Sequence, residues 1–158
     1  MVRYGNIGDL DDVLEMLNLC KIDMKERNLN IWNDNYPNEE IIKDDLLSND
    51  SVVYDLNGKV IAFLAMKPNM KDEYEDYYSN HKNYIFIQRV MVHPSYRRMG
   101  YGQQILNFIE NLGFDSIRLL TRNTNIYSVR LYTKLGYKVV REEHINNVIM
   151  QNCEKILK

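Results

Sequence analysis

Leu10, Val13, Leu14 and Leu17 recur at three- and four-residue spacing behind the acidic stretch Asp9-Leu10-Asp11-Asp12. That spacing predicts a helix with one apolar stripe, capped by Asp9 and carrying acids in its first turn, where they meet the positive end of the dipole. Pro37-Asn38-Glu39-Glu40 opens a second helix with Ile42 and Leu46 on one face. Ser51 to Asp55 and Lys59 to Met66 read as a hairpin around Asn57-Gly58, a strong two-residue turn signal. Residues 68 to 83 are polar and acidic and read as a surface loop, and Tyr84 to Val92 as a long strand. A helix from Gly100 to Leu112 turns Ile105, Leu106 and Ile109 inward and stops at Gly113. Ser116 to Leu120 is a short strand, Asn125 to Leu135 a helix closed by Gly136, and Tyr137 to Glu143 and Val148 to Ile156 a last antiparallel pair. The order β-α-α-β-β-β-α-β-α-β-β mixes hairpins with crossover helices. It predicts an α/β fold with a mixed sheet and helices on both faces.

Length and composition narrow the function. At 158 residues, with no internal repeat and no Pro/Gly/Ser-rich linker, the chain is expected to be one domain, 1–158. A net charge of −2 offers no global basic field, so neither nucleic acid nor an anionic membrane is an expected partner. Cys20 and Cys153 are too few and too far apart for a metal-ligand or disulfide framework, so no metal is expected. Two reduced, buried thiols fit better. No charged region leads into a long apolar one near Met1, and no apolar run is long enough to span a bilayer. A cytoplasmic location is the default expectation.

The chemistry concentrates in Val90-Met91-Val92-His93-Pro94-Ser95-Tyr96-Arg97-Arg98-Met99-Gly100-Tyr101-Gly102-Gln103. A strand ends at a proline, a basic loop follows, and two glycines open an amphipathic helix. The first helical turn leaves its N–H groups without intrahelical partners, and glycine lets backbone approach a ligand closely. Those donors, the helix dipole and forked guanidinium groups suit a pyrophosphate. A dinucleotide fingerprint would need a third glycine where Ile105 stands, and a P-loop would need Lys-Ser/Thr where Gln103-Gln104 follow Gly102. Neither fits. A lone Gly-x-Gly is most simply a relaxed turn, but the whole string asks for more.

Val92 to Gly102, reading Val-x-Pro-x-x-Arg-x-x-Gly-x-Gly, resembles the acyl-CoA signature of the GNAT (Gcn5-related N-acetyltransferase) superfamily. Asn125 to Tyr137 resembles the family's second block, Asn-x-x-Ala-x-x-Leu-Tyr-x-x-x-Gly-Phe/Tyr, with Ser128 at the small-residue position. Asn30 to Pro37 is similar to a Gln-Trp…Tyr-Pro stretch in a set of small bacterial members. The resemblance implies a three-layer α/β/α fold with a mixed, mostly antiparallel sheet of six to seven strands and about four helices. It implies acetyl-CoA as co-substrate and transfer to a primary amine, on a small molecule or a peptide, by direct attack in a ternary complex. The protein would be a monomer or a homodimer.

Residue by residue, the resemblance gives the backbone of Val90, Met91 and Val92 to the pantetheine arm. The amides from Arg98 through Met99, Gly100, Tyr101 and Gly102 to Gln103, with the side chains of Arg97 and Arg98, go to the pyrophosphate. Asn125 would reach the cofactor arm, and Tyr132 would protonate the leaving thiolate or hydrogen-bond to it. Trp32 and Tyr36 fall where family members often form an acceptor wall, with packing of that connection an equal alternative. The chain departs from the family at the general base: the strand from Tyr84 to Val92 holds no carboxylate, and Phe86 and Gln88 occupy the plausible positions. His93, Glu73, Glu75 or water remain as bases, and Gln88 as a substrate contact. A coenzyme A-binding sensor or scaffold without catalysis is the rival expectation.

Overall fold

A computed structural model describes all 158 residues. In chain order the elements are β1 (Val2–Tyr4), α1 (Leu10–Glu26), α2 (Glu39–Leu47), β2 (Ser51–Leu56), β3 (Lys59–Pro68) and β4 (Tyr84–Val92). α3 (Tyr101–Glu110), β5 (Ser116–Arg122), α4 (Ile126–Lys134), β6 (Lys138–Ile145) and β7 (Val148–Ile156) follow, with short 3-10 turns at Ile7–Asp9, Glu75–Tyr77 and Pro94–Tyr96. The strands form one open sheet in the order β1-β2-β3-β4-β5-β7-β6. β4 and β5 pair parallel, while β1–β2, β2–β3, β5–β7 and β6–β7 are antiparallel. The seven-stranded mixed sheet with four helices is the expected α/β architecture. No helix is long and apolar enough to cross a membrane.

The helix starts differ from the expected ones. Asp9 closes a 3-10 turn capped by Asn6, and its carboxylate takes the Asn6 amide and the Arg3 guanidinium instead of an α1 amide. At α2 the cap is Asn38, whose side chain accepts from the Ile41 amide, and Pro37 precedes it. Both shifts follow from side-chain competition: a short polar side chain goes to whichever orphan donor lies nearest. β5 runs on to Arg122, two residues beyond its expected end, because β7 pairs with it along that whole length.

The chain divides into two compact units, residues 1–66 with 89–109 and residues 67–88 with 110–158. In the first unit Val13, Met16, Leu17 and Cys20 of α1 and Ile42 and Leu46 of α2 pack with Val53, Phe63, Ala65 and Met91 in one apolar cluster. Tyr54, the next residue of β2, stacks instead on Tyr101 of α3 at 4.6 Å between ring centroids. Successive strand residues face opposite sides, so α3 covers the face that α1 and α2 leave. This explains why β3 is buried without interruption from Val60 to Met66. Ile105, Leu106 and Ile109 are fully buried, each contributing roughly 1.5–3 kcal/mol, which fixes the rotation of α3 and hence the direction of its first turn.

In the second unit β5 pairs along its whole length with β7, and β7 in turn with β6. The stretch from 68 to 83 is less free than a solvated loop. Asn69 donates to and accepts from Tyr84, and Tyr78 is buried, its hydroxyl accepting from Asn152 Nδ2 at 2.9 Å. Arg141 of β6 lies over the ring of Tyr74.

Candidate active site

The loop between β4 and α3 is held at its first half and open at its second. His93 caps the turn Pro94–Tyr96: its Nδ1 accepts from the Ser95 amide at 3.1 Å. Burial, with Lys59 and Arg97 nearby, pulls the imidazole below its ordinary range, so it is neutral at neutral pH. A neutral ring whose Nδ1 accepts carries its proton on Nε2 and has no lone pair left for a base. Arg97 Nη1 donates to Asp23 Oδ2 of α1 at 2.7 Å. Burial would raise the Asp23 carboxyl, but Arg97 and Arg27 outweigh it and hold it below the usual range.

From Arg98 onward the backbone changes hand. Arg98 takes φ 63° and Gly100 φ 87°, with Met99 and Gly100 exposed. No protein acceptor takes the amides from Arg98 to Gln103, and the first helical bond of α3 is from Gln104 to the Gly100 carbonyl at 3.0 Å. Gly100 leaves open space where a Cβ would stand, and Gly102 is buried in the first turn. The two arginines read together from the sequence therefore differ. Arg97 is engaged by Asp23, while Arg98 is exposed and makes no ion pair. Six consecutive amides, the positive end of a ten-residue helix and one exposed guanidinium suit a ligand rich in phosphate oxygens.

One left-handed residue stands in β4 just before the Val90–Val92 segment. Arg89 has φ 51°, a left-handed conformation that costs a non-glycine residue about 1–2 kcal/mol. Its side chain is anchored by a two-pronged ion pair with Asp45 of α2, Nε to Oδ2 at 2.8 Å and Nη2 to Oδ1 at 2.7 Å, both partners nearly excluded from water. Arg89 Nη1 also donates to the Tyr36 hydroxyl at 3.1 Å. Trp32 packs half-buried against the α1–α2 cluster, whereas Tyr36 is 41% exposed. Of the two aromatic residues expected at an acceptor wall, Trp32 packs against the core cluster and Tyr36 lies at the surface.

In the second unit the pairing of β4 with β5 covers Tyr84, Ile85 and Phe86 and then stops, although β5 continues to Arg122. Past Arg118, β5 keeps only β7 as a partner, and Leu120 is exposed. Asn125 stands at the cap position of α4, but its side chain makes no cap bond. Tyr132 is buried beside Tyr137, rings 5.3 Å apart, and burial pushes its phenol well above the ordinary tyrosine range. Gln88 Nε2 lies 3.6 Å from Met70 Sδ. Glu75 accepts from Arg118 at 3.3 Å and from Tyr84. Burial raises both cysteine thiols to about 11, so neither is a nucleophilic thiolate at neutral pH.

Sequence reasoning missed the polar core of this unit. Arg118 is 1% exposed, its guanidinium 3.6 Å from the Tyr84 ring centroid and 4.6 Å from that of Tyr78. It donates to Glu154, which also accepts from the Ser116 and Ser79 hydroxyls and the Ser79 amide. An arginine and a glutamate on neighbouring strands look like ordinary surface alternation. Only the register Arg118↔Glu154 reveals the pair. The Asp45–Arg89 pair was missed for the same reason, its partners being 44 residues apart.

The chain matches the Acetyltransferase (GNAT) family model over residues 11–137 and belongs to that family. An uncharacterized N-acetyltransferase of Staphylococcus epidermidis is 30% identical over 99 residues, 61% of this chain and 64% of that protein. The chain spans between 26% and 64% of the lengths of the curated relatives it matches. A GNAT-family acetyltransferase from Streptococcus agalactiae shares the fold with a TM-score of 0.87 at 21% identity, covering 99% of this chain and 94% of that one. YncA from Salmonella typhimurium, solved with its cofactor acetyl-CoA, superposes with a TM-score of 0.73 at 17% identity, covering 100% and 94%.

Proposed function

We propose that this chain is a single-domain N-acetyltransferase that moves an acetyl group from acetyl-CoA to a primary amine by direct attack in a ternary complex. The observation that carries the reading is the run of unpartnered amides from Arg98 to Gln103 at the start of α3. It is supported by family membership and by a neighbour of the same fold solved with acetyl-CoA. Acetyl-CoA supplies the activated thioester. The chain supplies amides and Arg98 for the pyrophosphate, the backbone of Val90, Met91 and Val92 for the pantetheine arm, and Asn125 as a further polar contact. Arg97 shapes the loop by tying it to Asp23.

The Tyr132 hydroxyl is assigned to the leaving sulfur. A free thiol ionises near 8.5 and an ordinary phenol near 10, and burial raises Tyr132 further. Full proton transfer from the phenol to a thiolate is therefore uphill. Its contribution is a donated hydrogen bond that strengthens as charge develops on sulfur. His93 has no lone pair to spare and Glu75 is engaged by Arg118 and Tyr84, so we assign the amine's proton to solvent, and turnover rises with pH through the acceptor's own ionisation.

The test is calorimetry with acetyl-CoA and with phosphate-free pantetheine, followed by a thiol-release assay over a panel of amines. Tight binding of acetyl-CoA, weak binding of pantetheine and acceptor-dependent thiol release are expected. Equal affinity for both ligands would overturn the loop assignment. Binding without release on any amine would make the protein a coenzyme A-binding module instead.

A further inference from the structure

Asp45, Arg89 and Tyr36 form a chain that runs from the buried side of α2 to an exposed hydroxyl, which holds neither acetyl-CoA nor the leaving sulfur in the reading above. A guanidinium is only a donor, so in the 3.1 Å contact the Tyr36 oxygen accepts from Arg89. The phenolic proton must then point away from Arg89. No protein acceptor takes it, and the side chain is 41% exposed. Its backbone is fixed: the Tyr36 amide and carbonyl pair with Asn33, whose side chain accepts from the Asn35 and Tyr36 amides. The result is a preorganised, outward-facing O–H donor. Asp45 neutralises Arg89, so the donor carries little net charge. Arg89 immediately precedes the Val90–Val92 segment assigned to the acetyl donor, which places the Tyr36 hydroxyl one side chain away from that strand.

We propose that Tyr36 is a specificity-determining residue that donates a hydrogen bond to an oxygen of the acceptor, so that the preferred amine belongs to a molecule bearing a carboxyl or carbonyl group. This rests on the acetyltransferase reading above. An alkylamine with no such oxygen would leave the donor desolvated and unpaired, which a site built for a hydrogen bond penalises.

The experiment compares acceptor pairs that differ only in that oxygen-bearing group: L-lysine with 1,5-diaminopentane, and L-phenylalaninamide with 2-phenylethylamine. Thiol release gives kcat/KM for each with the wild-type protein and with Tyr36→Phe, and calorimetry gives acetyl-CoA affinity for both. Comparing the change across each pair cancels the amines' different basicities. Tyr36→Phe is expected to lower kcat/KM by about tenfold for the oxygen-bearing member, the loss of one good hydrogen bond, and to leave it unchanged or higher for the other, whose unpaired donor is gone. Acetyl-CoA affinity should be unchanged. An equal fall for both members, or no fall, would overturn the proposal while leaving the enzyme reading intact. No thiol release from the wild-type protein with any of the four amines, nor with the wider panel, would overturn both.

Discussion

Each compact unit buries an arginine on a strand and pairs it with a carboxylate, and the two pairs serve opposite ends. Arg118 in the second unit is closed on every side: Tyr78 and Tyr84 stack on it and Glu154 takes its Nε. Glu154 in turn is saturated by Ser79 and Ser116. Arg89 in the first unit has the same kind of anchor in Asp45 but ends in an exposed phenol. A buried ion pair adds little net stability over a packed apolar equivalent, yet leaving one charge unpaired is expensive. Such a pair is thus a device for specifying geometry. In one unit it fastens the stretch around Tyr78 and Ser79 to the sheet. In the other it holds a left-handed residue and an outward hydroxyl.

The largest expected effect breaks the closed pair. Arg118→Met strands the Glu154 carboxylate in the core and should cost about 3–5 kcal/mol. That is a fall in Tm of roughly 6–20 °C for a chain of this size. Acetyl-CoA affinity, measured on the folded variant at low temperature, should stay within a few-fold. A loss in Tm of only a degree or two would mean that the pair is not the closed core described.

Tyr132→Phe is the exception within the same unit, because it should spare stability and strike turnover. Removing only the hydroxyl should lower kcat about 10²-fold, with acetyl-CoA affinity within a few-fold of wild type. Steady-state rates at saturating acceptor beside a binding titration check it. Unchanged kcat would remove Tyr132 from the chemistry but not the coenzyme A site from α3.

On the open side, Arg98→Ala should weaken acetyl-CoA by about tenfold, the loss of one charge-assisted contact, without changing affinity for pantetheine or the Tm. Arg97→Ala should lower affinity for both ligands alike, since it frees the loop from Asp23. If Arg97→Ala instead were selective for the phosphate-bearing ligand, Arg97 would have to leave Asp23 on binding.

The smallest effect is in acid. Glu154 is held below the usual carboxylate range: burial raises it, but the bonds from Ser79, Ser116 and Arg118 outweigh burial. A depressed carboxylate lends stability that is full above its unfolded value, about 4.3, and is lost as pH falls through the folded one. Tm should therefore drop below about pH 4.3. Glu154→Gln should flatten that dependence in part, because Asp9 and Asp23 are depressed as well. An unchanged slope would show that Glu154 does not titrate with unfolding.

What could be read from the residues was local. The turn at Asn57-Gly58, the apolar stripes of α1 and α3, the strand from Tyr84 to Val92 and the glycine-opened helix depend on neighbours a few positions apart. Their physical rules are periodicity, turn chemistry and orphan amides, and those rules act along the chain. The two motif blocks were legible for the same reason, being contiguous. Other features were decided by partners far away in sequence. Arg97 meets Asp23 at a separation of 74 residues, Arg89 meets Asp45 at 44, and Arg118 meets Glu154 at 36. A charged residue on a strand is exposed or buried according to the strand that lies beside it, and no period along the chain records that neighbour. Hence the sequence alone determined the family, the fold class and the glycine-opened start of α3. Only the tertiary structure decided which arginine faces outward, which histidine has no lone pair to spare, and which tyrosine presents a free proton.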